Sequence, residues 1–137
     1  MLAREHGMKS SIGAVLNELG DVLADAAMYL PLARVEGVKS EVVVAFVVLA
    51  IVSEMAGVVA VQIGSERRYD GPLGKSDRAF AMGAIYFAIG LGAAPGRWHV
   101  AVFVMLAGLA MVTIIRRSRR ALSTAATASA DRPQPLP

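Results

Sequence analysis

The 137-residue chain has no cysteine, which excludes a disulfide-stapled scaffold, a thiolate metal centre and a cysteine nucleophile. Histidine is scarce too: His6 and His99 stand alone, with no partner at ligand spacing, so an imidazole metal cluster has little to build from. Aromatic residues make up 6% and charged residues 18%. The net charge of +3 is therefore not laid out as the aromatic, basic face of a nucleic-acid-binding module. No short basic region followed by an apolar core marks a cleaved signal peptide, and no repeat of solenoid period is visible. What the chain has in excess is apolar residues, 55% of the total, with a mean hydropathy of +0.54. That is the composition of a membrane protein.

Four apolar segments emerge in windows of about 20 residues, the length that crosses ~30 Å of hydrocarbon as a helix. They cover roughly Ser10 to Ala33, Glu41 to Ile63, Arg78 to Ala93 and Trp98 to Ile115. The second, V-V-V-A-F-V-V-L-A-I-V at its centre, is the clearest, and a Pro95-Gly96 turn joins the last two. The fold expected is an all-α polytopic bundle of four transmembrane helices over residues 1–116. Residues 117–137 are expected to form a disordered cytoplasmic tail, because the Ala/Ser/Thr-rich end has little to pack.

Lys and Arg set the orientation, since short basic loops stay in the cytoplasm. With the N-terminus inside, the inner segments hold ten cations (Arg4, Lys9, Arg67, Arg68, Lys75, Arg78, Arg116, Arg117, Arg119, Arg120) against three outside (Arg34, Lys39, Arg97). Both termini and the 64–78 loop are thereby expected on the cytoplasmic side of a bacterial inner membrane.

The first segment is polar in its first half. Asn17, Asp21 and Asp25 recur every four residues, a step that rotates only about 40° around a helix and so aligns them in one stripe, with Glu18 close by. Such hard oxygens near a helix end suit Mg²⁺ or Mn²⁺. Equally, they suit acids that are solvated at the interface or paired with Arg4, Lys9 or the 64–78 loop, and the spacing does not choose between the two.

The same stretch carries a resemblance. Ala3-Arg4, eight residues, Gly13, three residues, Asn17, three residues, Asp21 resembles the second half of the CDP-alcohol phosphatidyltransferase motif, Asp-x2-Asp-Gly-x2-Ala-Arg-x8-Gly-x3-Asp-x3-Asp. Met1-Leu2 fill the two free positions before Ala-Arg, so the first two aspartates of the motif would precede Met1. The chain then reads as N-terminally truncated, by a start assigned at an internal Met or by a real truncation, with the first reading favoured by the register through Met1-Leu2. As given it is expected to lack ligands for a two-metal site and to be inactive alone. The later Y-D-G-P-L-G-K-S-D-R-A is similar to a bacterial inner-membrane branch of the family whose alcohol is unassigned. The resemblance implies a six-helix, usually dimeric fold of which this chain holds the last four helices. It also implies the chemistry: transfer of a phosphatidyl or related group from a CDP-linked lipid or alcohol to a hydroxyl acceptor in phospholipid synthesis, with release of CMP.

Carried over by position, Asp21 is the expected base and a metal ligand. Asn17 and Asp25 are the further ligands for Mg²⁺ or Mn²⁺, Asn17 standing where the family has aspartate and Asp25 offering a replacement carboxylate. Gly13 lets the nucleotide approach the backbone, Arg4 adds positive charge, and Lys75 and Arg78 are expected contacts to substrate phosphate. Ser76 is expected to cap the third helix. Glu54, in mid-span, is read as structural, with Arg67 or Ser53 as its partner, and Trp98 as an interfacial anchor. The S-E-R-R-Y-D-G-P-L-G-K-S-D-R loop is not a Walker loop, because its glycine and lysine spacing fails. Two other readings stand beside the transferase, a small four-helix transporter that dimerises around a membrane-embedded glutamate and a catalytically inactive membrane scaffold.

Overall fold

The computed structural model describes residues 10–66 and 71–130, and among them there is no β-strand. Four helices follow in order: α1 (Ser11–Tyr29), α2 (Ser40–Gln62), α3 (Lys75–Gly90) and α4 (Arg97–Ala130), with a 3₁₀ turn at Leu30–Arg34 between the first two.

Local chemistry sets their ends. Ser10 is extended, and its Oγ accepts the Gly13 N–H at 3.0 Å, which starts α1. Pro31 lacks a backbone donor, so α1 cannot run on as an α-helix and tightens into the 3₁₀ turn. The Met28 carbonyl, in that last turn, accepts a hydrogen bond from the Tyr86 hydroxyl at 2.6 Å. Helix α3 begins three residues earlier than the expected Arg78, and its cap is not Ser76: the Asp77 carboxylate accepts from the Gly74 N–H at 2.8 Å.

Helix α4 departs most from expectation. It continues past residue 116 to Ala130, so the expected disordered tail gives way to helix over residues 117–130; residues 131–137 lie outside the described set. The reason is visible in the spacing. Thr113, Arg117 and Ala121 are all buried and lie four apart on one stripe, so the last turns continue a face that is already packed.

Side-chain pairs fix the directions. The Tyr29 ring lies tilted against Phe46 with centroids 5.7 Å apart, while Asp25 meets Glu54 through Arg78, so α1 and α2 are antiparallel. Contacts from Lys39 to His99 and from Ser53 to Arg117 run in the same sense, so α2 and α4 are parallel. Those from Asp25 to Arg78 and from Met28 to Tyr86 make α1 and α3 parallel. The bundle is therefore up–down–up–down. Its core centres on Tyr29, Phe46, Met82, Phe103 and Leu106.

Much of the outside is apolar. Leu23, Val48, Phe80, Phe87 and Val104 are all exposed, more bare hydrocarbon than a water-facing surface normally carries. By length and composition, Ser40–Gln62 and Arg97–Thr127 can each cross a membrane.

Candidate functional site: a charged cleft at one end of the bundle

The alternating topology brings the start of α1, the end of α2, the start of α3 and the second half of α4 to one end of the bundle. There a cleft of about 340 Å³ is lined by Asp21, Glu54, Gly74, Lys75, Asp77 and Arg117, among others.

At its mouth, the Lys75 ammonium and the Asp21 carboxylate form an ion pair that joins α3 to α1. Beneath lies a buried cluster. Arg78 is fully enclosed, and its Nε and Nη2 donate to Asp25 Oδ2 at 3.2 and 2.9 Å while Nη2 also donates to Glu54 Oε1 at 2.7 Å. Arg117 donates from Nη1 to the Ser53 carbonyl at 2.6 Å and sits 3.8 Å from Glu54 Oε1. Four helices thus meet through two arginines and two carboxylates, an arrangement in which each buried charge has an opposite neighbour.

The segment before α3 is tied to α4. Leu73 N–H donates to Thr113 Oγ1 at 3.1 Å, and Thr113 in turn donates to the Leu109 carbonyl at 2.9 Å. Gly71 has φ +131°, and a Cβ there would lie 2.4 Å from Thr113 Cγ2 and 2.8 Å from its Cα. Only glycine allows this approach, in both conformation and space.

The residues expected to act together fall into different environments. Asp21 lines the cleft, half-buried; Asp25 is buried under it; Asn17 is exposed further up α1. Gly13 is exposed in the first turn, its N–H taken by Ser10. Arg4 lies outside the described residues. Lys75 lines the cleft, whereas Arg78 lies beneath it with its guanidinium hydrogen-bonded to Asp25 and Glu54. Glu54 pairs with Arg78 and lies 3.8 Å from Arg117; the expected partner Arg67 lies outside the described residues.

The fit to divalent metal is poor. No group of three or more histidines, aspartates or glutamates gathers among the described residues. Asp21 faces an ammonium and Asp25 a guanidinium, so the described residues alone do not form a site for Mg²⁺ or Mn²⁺. Arg117 is the residue that spacing missed. It sits in a basic run, and only its place on the Thr113–Ala121 stripe marks it as inward-facing.

Over 122 residues the chain is 35% identical to Inner membrane protein YnbA of Escherichia coli strain K12, an alignment that covers 89% of this chain and 61% of that protein. The chain thus spans less than two thirds of that relative's length. No protein-family model matches the chain, and neither does any solved structure.

Proposed function

We propose that the chain is the four-helix portion of a bacterial inner-membrane phosphotransferase of the CDP-alcohol phosphatidyltransferase type, with the Asp21 cleft at the cytoplasmic face. One observation carries this reading: Asp21, which closes the motif-like spacing Ala3-Arg4…Gly13…Asn17…Asp21, lines a charged cleft beside Lys75. The exposed apolar surface, the two helices able to span a membrane and the similarity to an inner membrane protein support the setting. The dimer expected of the family would cover part of that apolar surface.

In this reading a CDP-linked donor enters with its phosphates toward Lys75, whose ammonium moves from Asp21 to a phosphate oxygen. The carboxylate so released accepts the proton of the acceptor hydroxyl. The hydroxyl oxygen bonds to phosphorus, the bond from phosphorus to the bridging oxygen breaks, and CMP leaves with that oxygen. Because the described residues do not form a divalent site, no step here runs through a metal.

The test is CMP release from CDP-diacylglycerol, with Mg²⁺ or Mn²⁺ and a panel of alcohols, by the purified protein in lipid nanodiscs with the Asp-x2-Asp-Gly half of the motif joined ahead of Met1. Turnover with at least one alcohol, abolished in Asp21→Asn, is expected. Absence of CMP with every alcohol defeats the reading and favours the inactive scaffold. The transporter reading has less support, since Glu54 is held by Arg78 and Arg117.

A further inference from the structure

The opposite end of the bundle holds a second polar cavity that the transferase reading leaves unused. It measures about 320 Å³ and is lined by Gly37, Lys39, Gly96, Arg97, His99 and Val100. Between Ser40, next to it, and Glu54, under the Asp21 cleft, α2 rises about 21 Å at ~1.5 Å per residue, so the two sites are separate.

Its chemistry is set by His99, which is 98% enclosed, its relative exposure being 2%. His99 Nε2 accepts the backbone N–H of Lys39 at 3.1 Å. An imidazole nitrogen that accepts carries the lone pair, so in the neutral ring the proton sits on Nδ1. That Nδ1–H is buried and meets no acceptor among the described residues. A buried donor without an acceptor is costly, and here it belongs to a residue that lines a cavity large enough for a small ligand.

Everything else lining the cavity points to the same kind of acceptor. Lys39 and Arg97 bring two exposed positive charges. Gly96, Arg97 and Val100 belong to the start of α4, where the first backbone N–H groups have no intrahelical partner and the helix dipole is positive. Neither Glu36 nor Glu41, the acids nearest in sequence, lines the cavity. The walls are held in place by Gly37, which at φ +81° sits where a Cβ would be 3.4 Å from Pro95 and so lets the 35–39 and 91–96 segments meet.

We propose that His99, Lys39 and Arg97 form a binding site for the phosphate of an anionic ligand at the end of the bundle opposite the Asp21 cleft. The start of α4 donates to one phosphate oxygen, the two cations balance the charge, and the enclosed His99 Nδ1–H reaches a second oxygen on a small turn of its ring. A lipid headgroup and free phosphate share this chemistry, and a cavity between two helix starts is open to either.

Histidine NMR distinguishes them in the full chain. In a His6→Asn background His99 is the only histidine, and its side-chain ¹⁵N signals are read in nanodiscs of phosphatidylcholine and of phosphatidylglycerol. Inorganic phosphate is then titrated into each. A saturable shift of Nδ1 with phosphate in phosphatidylcholine discs identifies a soluble ligand. A shift already present in phosphatidylglycerol discs, and indifferent to phosphate, identifies a lipid headgroup. Either response should weaken by about tenfold or more in Lys39→Gln/Arg97→Gln, as loss of charge-assisted hydrogen bonds requires; both residues are exposed, so the fold persists. A His99 signal that ignores both lipid and phosphate, or a response unchanged in the double variant, overturns the proposal.

Discussion

Arg78 is the residue on which most of the interior depends. It is fully buried between Asp25 and Glu54, and removing one partner of such a cluster leaves uncompensated charge in a poorly polarisable medium. Arg78→Met should therefore lower stability by about 3–5 kcal/mol, read as a shift in denaturant unfolding followed by far-UV circular dichroism. Lys75→Gln offers the contrast. The Lys75 side chain is 45% exposed and that of Asp21 27%, so losing this ion pair should cost only about 0–1 kcal/mol. A large loss in Lys75→Gln would mean that the cleft pair carries structural weight as well. The shared stripe of Asn17, Asp21 and Asp25 was legible from spacing. Their different depths were not, because periodicity gives a direction around a helix axis and says nothing of how deep each turn sits. Nor could spacing reveal that Glu54 pairs with residues 24 and 63 positions away.

Among elements, the segment before α3 and the end of α4 support each other. In Thr113→Val the buried Leu73 N–H loses its acceptor while the shape of the side chain is nearly kept. The expected cost is about 1–3 kcal/mol, with faster hydrogen exchange at the Leu73 amide as the direct readout. Helix α4 supplies a second check. A chain ending at residue 116, where the apolar run stops, loses Arg117 and with it the bond to the Ser53 carbonyl; a chain ending at residue 127 keeps both Arg117 and the buried Ala121. The first should unfold at clearly lower temperature than the second, and equal melting temperatures would show that residues 117–127 add nothing to the bundle. The apolar cores of α2 and α4 were readable from hydropathy because every side of them is greasy. The extension of α4 was hidden, since a helix with a small buried stripe of Thr, Arg and Ala leaves no hydrophobic signal.

For the whole molecule, the alternating directions of the four helices make a topological claim. The absence of cysteine gives a silent background for single-cysteine labelling. Glu36 and Glu66, both exposed, flank opposite ends of α2. In a four-span insertion, Glu36→Cys should react with an impermeant maleimide from the periplasmic side and Glu66→Cys only after the cytoplasmic side is opened. Labelling of both from one side would mean that α2 does not cross. The distribution of basic residues already favoured this arrangement. What it could not show was that α3, 16 residues long and thus about 24 Å at ~1.5 Å per residue, falls short of a ~30 Å hydrocarbon core, or that it brings a buried arginine with it.

In a four-span insertion that arginine would also order biogenesis. A guanidinium cannot rest alone in hydrocarbon, so α3 is a poor candidate for independent insertion. Both carboxylates that receive Arg78 lie on α1 and α2, which leave the ribosome first. The acceptors are thus in place before the cation emerges, and the third helix can be drawn into the bilayer by neutralisation and not by its own hydrophobicity.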